Sequence, residues 1–208
     1  MSLIPFNPLE SRHLGISVAK ALLAQEVRSM SDIQEFEGAG IYALYYTGSH
    51  PAYQSLSLRN QNNLFASPIY AGKAVPKGAR KGEVISTAQG KVLYHRLKDH
   101  VESIKAADNL NIEDFYCRFL VVEDIWIALA ESLVIQYFSP FWNCKLDGFG
   151  NHNPGRGRHE GKRPLWDVMH PGRPWANHLK TRTETQNDLE LLAQEFLSKT
   201  PEGMNHTF

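Results

Sequence analysis

Two tyrosine–glycine patterns and an arginine–histidine pair are the first residues whose types and spacing could do chemistry. The tyrosines adjoin glycines in Gly40–Tyr42 (GIY) and Tyr70–Gly72 (YAG). Arg96 and His100 are four residues apart, which places both on one face of a helix. An arginine can hold a phosphate through two hydrogen bonds, and a histidine can move a proton near neutral pH. Taken alone, each pattern also suits an ordinary strand or a solvated helix face.

A lone carboxylate and a lone amide add to these patterns. Glu131 is the only charged residue between Ile125 and Ile135, in the run IWIALAESLVI. A carboxylate there must be paired, bind a metal, or lie at the turn of the helix that reaches water, which is the default interpretation. Asn143 follows Pro140 closely, and its spacing alone is typical of an ordinary turn residue.

The surrounding sequence predicts the elements that would position these residues. Apolar periodicity and composition predict helices over 8–29, 91–106 and 125–138, strands over 41–46, 68–73 and 115–121, and a last helix around 189–196. The polar, turn-rich segment 47–66 is predicted to be a loop or an insertion. This order of elements indicates a small three-stranded α/β sandwich with two sizeable additions.

The composition indicates a globular protein of one domain. The chain has 208 residues, of which 42% are hydrophobic and 21% charged, so disordered, collagen-like and coiled-coil proteins are excluded. No apolar run approaches the ~20 residues of a membrane-spanning helix, and the first residues do not resemble a signal peptide. Cys117 and Cys144 lack metal-type spacing and are expected to be reduced thiols in a cytoplasmic protein.

The charges balance overall but are unevenly distributed. Residues 73–106 and residues 143–182 each hold eight Lys and Arg against three Asp and Glu, whereas 107–142 is acidic. Two basic segments separated by an acidic one could fold into one positive surface for a nucleic acid. The alternative is that these charges are scattered over solvated faces.

The motifs together resemble the GIY-YIG nuclease superfamily. In that family a Gly-Ile-Tyr strand, a Tyr-Ile-Gly strand, a helix with arginine, an apolar helix with a metal-binding glutamate, and a proline and asparagine follow one another. Here Gly40–Tyr42, Tyr70–Gly72, Arg96, Glu131 and Pro140-x-x-Asn143 appear in that order, within about half of the chain. An alanine replaces the isoleucine of the second strand, and the longer stretch between the two strands suggests an insertion.

The likeness is closer still to the type II restriction endonucleases of this superfamily. Some of them place a histidine one turn after the arginine, as His100 is placed here. The segments IYAGKAVPKG, DGFGNHNPGRGR and WDVMHPGRPWA also look like theirs. The resemblance implies an α+β fold, with a small three-stranded antiparallel sheet flanked by helices. It also implies one nuclease domain, 1–208, with a catalytic core at 38–145, an N-terminal helical extension at 1–37, and a C-terminal extension with DNA-contacting loops at 146–208.

The resemblance implies Mg²⁺-dependent hydrolysis of double-stranded DNA at a GC-rich palindrome, CCGCGG in the cases that look nearest. The implied catalytic residues are Tyr42, Tyr70, Arg96, His100, Glu131 and Asn143. Glu131 would hold one Mg²⁺ per active site, Arg96 would hold the scissile phosphate, and Tyr70 would position phosphate or water. Tyr42 would activate the water once nearby cations lower its pKa, and Tyr42 and His100 both stay open as the final proton acceptor. Asn143 would orient part of this network.

Further polar side chains are candidates for DNA contact. They are Lys73, Lys77, Arg80, Lys81, Asn151, Asn153, Arg156 and Arg158. Lysine and arginine attract the phosphate backbone, and asparagine and arginine can bond to adenine and guanine edges. Lys73 is also a candidate for charge stabilisation at the phosphate.

We expect a homodimer or a higher homo-oligomer, because a palindromic duplex has a two-fold axis and one active site cuts one strand. One or both of two additions, the N-terminal helix 8–29 and the insertion 47–66, are expected to form most of the contact. The alternative is that these additions only cover one face of the core. Neither a membrane nor a small-molecule substrate is expected.

Three alternatives stay open. The chain could be a GIY-YIG nuclease with a repair or homing role, a DNA-binding relative that has lost catalysis, or an unrelated α/β protein with coincidental motifs. The absence of a recognisable separate binding module disfavours the first, and the intact set of six candidate residues disfavours the second.

Overall fold

A computed structural model describes residues 10–76, 90–152 and 161–199. Its strands are β1 (Arg28–Ser29), β2 (Gly40–Tyr46), β3 (Tyr70–Ala74) and β4 (Phe115–Val121). Its α-helices are α1 (Ser11–Leu23), α2 (Gln54–Asn60), α3 (Val92–Ala106), α4 (Asp124–Phe138), α5 (Phe141–Cys144), α6 (Leu165–Met169) and α7 (Gln186–Lys199). Short 3₁₀ helices span Pro51–Tyr53, Ile112–Asp114 and Pro174–His178.

The four strands form one antiparallel sheet in the order β1-β4-β2-β3. The predicted α+β fold with a small antiparallel sheet flanked by helices is therefore confirmed. The sequence predicted three strands, and the fourth is the two-residue strand β1, which pairs with Tyr116 and Cys117 of β4. Since β1 occupies one edge of the sheet, β3 lies at the other, and this position matters for the candidate site.

The prediction of a helix over 8–29 is wrong at the carboxyl end of this range. Helix α1 ends at Leu23, and residues 28 and 29 are in strand β1 instead. The backbone N–H of Met30 also donates to the carbonyl of Phe115. These contacts satisfy polar groups of β4 that a continued helix would leave unpaired, which favours the strand. Residues 8 and 9 lie outside the described part of the chain.

The prediction that 47–66 is only a loop is also wrong in part, because the segment contains α2. The helix buries Leu56 and Asn60, although the surrounding composition is polar. The Asn60 amide donates to the carbonyls of Tyr46 and Ser67 and accepts the backbone N–H of Ser67. A count of apolar residues does not detect a buried polar side chain that has hydrogen-bond partners, so the polar composition of this segment does not indicate a buried helix.

Helices cover both faces of the sheet. Side chains alternate along β2, so Tyr42 and Leu44 pack into one core cluster with Leu97 of α3. Ile41 and its neighbours on the opposite face pack into a second cluster with Ile127, Ala130 and Val134 of α4. The motif tyrosine therefore faces α3, whereas the helix that carries Glu131 packs against the other face.

Close contacts explain both motif glycines. A Cβ atom at Gly40 would overlap the backbone carbonyl oxygen of Leu120 on the neighbouring strand β4. A Cβ atom at Gly72 would overlap the hydroxyl oxygen of Tyr42, which lies across β3 at that point. Gly72 therefore makes the space that the Tyr42 side chain fills.

Both cysteines are free thiols, and burial raises the pKa of Cys117 to about 12. Among the helices of the described residues, none has the length and apolar character needed to cross a bilayer.

Candidate active site

Tyr42 and His100 form a buried hydrogen-bonded pair. The Tyr42 hydroxyl oxygen lies 2.6 Å from His100 Nε2. Strand β2 directs Tyr42 toward α3, and α3 directs His100 toward the sheet along with its apolar stripe. The side chains are 0% and 1% exposed, so the solvated-face interpretation of this helix position does not hold.

Burial sets the protonation state of this pair. It raises the pKa of Tyr42 well above the usual 10.0 and lowers the pKa of His100 well below the usual 6.5. The Arg96 cation lowers the pKa of Tyr42, but burial is the larger effect. At neutral pH the phenol is therefore protonated and the imidazole neutral, and the tautomer of the imidazole sets which of the two groups donates the hydrogen bond.

Arg96 lies beside this pair, one turn earlier on α3. Its Nη2 donates to the carbonyl of Gly150 at 3.1 Å, and its Nη1 is 3.1 Å from His152 Nε2. The guanidinium lies close enough to Tyr42 and Tyr70 to lower the pKa of both. It thus supplies a half-buried cation between two phenol groups and an exposed histidine.

An aromatic side chain after α5 completes the wall of this cluster. The ring of Phe149 stacks on His100, with centroids 4.5 Å apart and planes inclined by 11°. Its edge packs against Tyr70, with centroids 4.9 Å apart. No motif in the sequence assigns a role to Phe149 or His152, and the resemblance of the segment DGFGNHNPGRGR is the one indication of it.

Asn143 holds the backbone of β3. Its Oδ1 accepts the N–H of Ala71 and its Nδ2 donates to the carbonyl of Ala71, both at 2.8 Å. Because β3 is an edge strand of the described sheet, no described strand pairs with these groups on that side, and the amide takes the place of one. Asn143 therefore fixes the backbone between Tyr70 and Gly72.

Glu131 is paired with a lysine of β3. Lys73 Nζ lies 2.6 Å from Glu131 Oε2, and the two side chains are 37% and 20% exposed. The Glu131 carboxylate is therefore stabilised on this apolar helix by an ion pair, and not by solvent exposure alone. Burial is the largest effect that raises the pKa of Tyr70, and the Glu131 charge raises this pKa further. Although Tyr70 faces α3, the two groups approach each other around β3, the edge of the sheet.

Glu131 fits a single magnesium ion. Mg²⁺ commonly takes one or two protein carboxylates and completes its shell with water and substrate phosphate. Within 10–76, 90–152 and 161–199, no three or more His, Cys, Asp and Glu side chains form a cluster that could hold a metal through several protein ligands. As a single, partly exposed carboxylate that also pairs with Lys73, Glu131 suits Mg²⁺ better than a metal that needs several protein ligands.

Only two predicted DNA contacts fall on described residues. Lys73 pairs with Glu131, and Asn151 is exposed just before His152. The remaining candidates, Lys77, Arg80, Lys81, Asn153, Arg156 and Arg158, lie outside the described residues. The two segments that carry them follow directly after described residues 76 and 152, close in sequence to Lys73 and His152.

The burial of His100 predicts lower stability in acid. Its pKa is lower in the folded chain than in the unfolded chain, so the unfolded chain binds the proton first and the free energy of unfolding falls below about pH 6.5. His170, also buried with a lowered pKa, contributes in the same direction. His100→Gln should reduce the slope of unfolding free energy against pH between about pH 6.5 and 5 by up to ~1.4 kcal/mol per pH unit.

Urea unfolding at a series of pH values measures this slope. The matched control is His95→Gln, which changes an exposed histidine of the same helix and should keep the wild-type slope. Equal slopes for the wild type and His100→Gln would contradict the prediction.

Comparison with known proteins assigns the family. Residues 34–197 match the family model of the Eco29kI GIY-YIG domain, which is a restriction endonuclease family. The matched range contains all six candidate catalytic residues and extends into the C-terminal part. A search of curated proteins finds no match. Because the family model covers most of its length, the chain belongs to the Eco29kI GIY-YIG family of restriction endonucleases.

Proposed function

We propose that the chain is a type II restriction endonuclease that uses Mg²⁺ to cut a GC-rich palindrome, with CCGCGG as the candidate site, in the cytoplasm. Its family acts on double-stranded DNA. The observation that carries the proposal is the cluster of Tyr42, His100 and Arg96, with Glu131 near the same edge of the sheet. This cluster offers a proton acceptor, a cation for phosphate and one carboxylate for a metal.

The water that attacks phosphorus must lose a proton. Burial makes a free tyrosinate at position 42 unfavourable, and a neutral His100 that carries its proton on Nδ1 can accept a hydrogen bond from the phenol at Nε2. We infer that Tyr42 takes the proton of the water while its own proton passes to Nε2 of His100. The phenol stays neutral throughout, the imidazole becomes a cation, and the negative charge moves to the phosphate. His100 is then the final acceptor. Burial and the Arg96 charge lower its pKa and disfavour its cation, so the negative charge that develops on the phosphate must offset this cost.

Two cationic groups would stabilise the charged phosphate. The Arg96 guanidinium has five N–H donors. Gly150 and His152 accept some of them, and the others can bond to the non-bridging phosphate oxygens. Mg²⁺ bound at Glu131 would supply positive charge for the phosphate and for the leaving oxygen. Lys73 would then share the carboxylate or turn to the phosphate.

Tyr70 and Asn143 would keep the reacting groups in place. The Tyr70 ring packs against His100 and Phe149, with its hydroxyl near Arg96. Asn143 holds the backbone next to Tyr70, so we propose that it acts through the position of this tyrosine.

Digestion of a defined plasmid tests the proposed function. With Mg²⁺ the chain should cut both strands at one palindrome, and sequencing of the ends gives the site and the stagger. EDTA should abolish cleavage, and a plasmid whose CCGCGG sites are altered tests the candidate site. Cleavage of branched DNA alone would support a repair role instead. Binding of duplex DNA with no cleavage under any divalent metal would support an inactive relative.

Glu131→Ala should abolish cleavage while specific DNA binding survives, because the change removes the metal ligand and leaves the phosphate contacts. Glu131→Gln, which keeps the shape beside Lys73, should give the same result. Cleavage assays with Mg²⁺ and gel-shift assays without it measure the two properties. The control is Glu102→Gln, an exposed carboxylate on α3. Near-normal cleavage by either Glu131 variant would overturn the metal assignment.

Arg96→Ala should slow single-turnover cleavage on the order of 10²-fold or more, because the developing charge on the phosphate loses its nearest cation. Lys105→Ala removes an exposed cation from the same helix and should cleave at the wild-type rate. An Arg96→Ala rate within twofold of wild type would show that this guanidinium does not contact the reacting phosphate.

We also propose a homodimer that uses the N-terminal helix. Helix α1 packs on α4, and beside this contact Ile125 and Trp126 are 78% and 50% exposed. Large exposed apolar side chains of this kind are typical of an interface. Trp126→Glu should shift the sedimentation of the chain with a cognate duplex from two protomers per duplex to one. A wild-type complex with one protomer per duplex would contradict the dimer.

A further inference from the structure

Arg173 is a buried cation in the C-terminal extension. Its side chain is 3% exposed, and Nε and Nη2 donate to Asp167 Oδ1 and Oδ2 at 2.6 and 2.5 Å. The guanidinium carbon lies 4.5 Å from the ring centre of Trp166 and 4.7 Å from that of Trp175. The Asp167 carboxylate and the two tryptophan rings together fix the orientation of the guanidinium.

The remaining donors of Arg173 hold one short segment, residues 148–152, which we call the active-site loop. Nη2 donates to the carbonyl of Gly148 at 3.0 Å, and Nη1 donates to the carbonyls of Phe149 at 3.1 Å and Asn151 at 3.3 Å. Three carbonyls and one carboxylate thus converge on a single side chain. Only a guanidinium has enough donors, in a planar fork, to meet all four groups.

The same loop contacts the candidate catalytic residues with its other groups. The Phe149 ring stacks on His100, and the Gly150 carbonyl accepts a hydrogen bond from Arg96. His152 Nε2 lies 3.1 Å from Arg96. Arg173 and Arg96 therefore hold the loop from two sides, and a shift of its carbonyls would move the groups that orient both Arg96 and His100.

We propose that Arg173, oriented by Asp167, is a positioning residue that sets the geometry of Arg96 and His100 through the active-site loop. Within the described residues no hydrogen bond joins Arg173 to Arg96 or His100. Its charge helps to lower the pKa of His100, but burial and the charges of Arg96 and His152 have larger effects. The inference rests on the proposed nuclease function, since it assigns a role in that reaction. The two segments that it joins, DGFGNHNPGRGR and WDVMHPGRPWA, are those whose likeness to restriction enzymes had no structural explanation in the sequence.

Arg173→Lys tests the proposal. The lysine keeps the charge beside Asp167, but one ammonium group cannot reach three loop carbonyls as well. Arg118→Lys is the matched control. Arg118 is 8% exposed, lies over the Tyr45 ring and donates to the carbonyls of Gln25 and Phe65, but it is on the opposite face of the sheet.

Both variants should lose thermal stability, so the discriminating measurement is made well below both melting temperatures. With a saturating cognate duplex and Mg²⁺, Arg173→Lys should cleave at least tenfold more slowly in a single turnover. Its Kd for the duplex without metal should stay within threefold of wild type. Arg118→Lys should cleave within twofold of wild type. Equal rates for the two variants would overturn the positioning role.

A second readout does not depend on cleavage. The ring nitrogen and proton NMR signals of His100, assigned with His100→Gln, report on its stacking against Phe149. They should shift in Arg173→Lys and stay unchanged in Arg118→Lys. A wild-type protein that cuts no DNA would refute the proposed function. The His100 signals of the two variants would still show whether Arg173 holds the active-site loop in place. If Arg173→Lys fails to fold, Asp167→Asn, which weakens the orientation of Arg173, should shift the same signals. Unshifted signals would overturn the inference.

Discussion

The buried hydrogen bond between Tyr42 and His100 is the constraint on which the arrangement of this site depends. A phenol and an imidazole removed from water must satisfy each other, and burial holds the first protonated and the second neutral. Gly72 of β3 has no side chain and so leaves space for the Tyr42 hydroxyl. The Phe149 ring stacks on the His100 imidazole and covers it. With the position of His100 set, the helical repeat of α3 places Arg96 beside both tyrosines.

A second buried tyrosine–histidine pair joins the additions to the core. The Tyr53 hydroxyl lies 2.6 Å from His170 Nε2 and accepts the indole N–H of Trp142, while His170 Nδ1 meets Asn109. These residues come from the 47–66 insertion, the C-terminal extension, α5 and the segment after α3. A buried network of this kind stabilises a single arrangement only when every member has its partner. Since Trp142 precedes Asn143, the additions help to support the amide that holds β3.

The edge position of β3 explains how groups from opposite faces of the sheet meet. In a central strand, Tyr70 and Lys73 would be separated by the backbone and by a neighbouring strand. At an edge, the polar backbone is free for Asn143, and side chains from both faces reach the same border. Glu131 thereby influences Tyr70 although its helix packs on the other face. An exposed edge usually invites unwanted strand pairing, and here the Asn143 amide covers one residue of it.

Local elements, the order of the motif residues and the family likeness could all be predicted from the amino-acid sequence. Helical and strand periodicities are properties of neighbouring residues, so α3, α4, β2 and β4 were predicted near their observed bounds. The types and spacing of Arg96 and His100 indicated a shared helix face in the same way. The tertiary structure alone decided the burial of that face, the Lys73–Glu131 pairing, strand β1, and the clamp of Arg173 on the active-site loop. These features depend on contacts between segments that are distant in the sequence. Because the free energy of such contacts comes from desolvation of both partners and from hydrogen-bond geometry, no periodic pattern of residues indicates them.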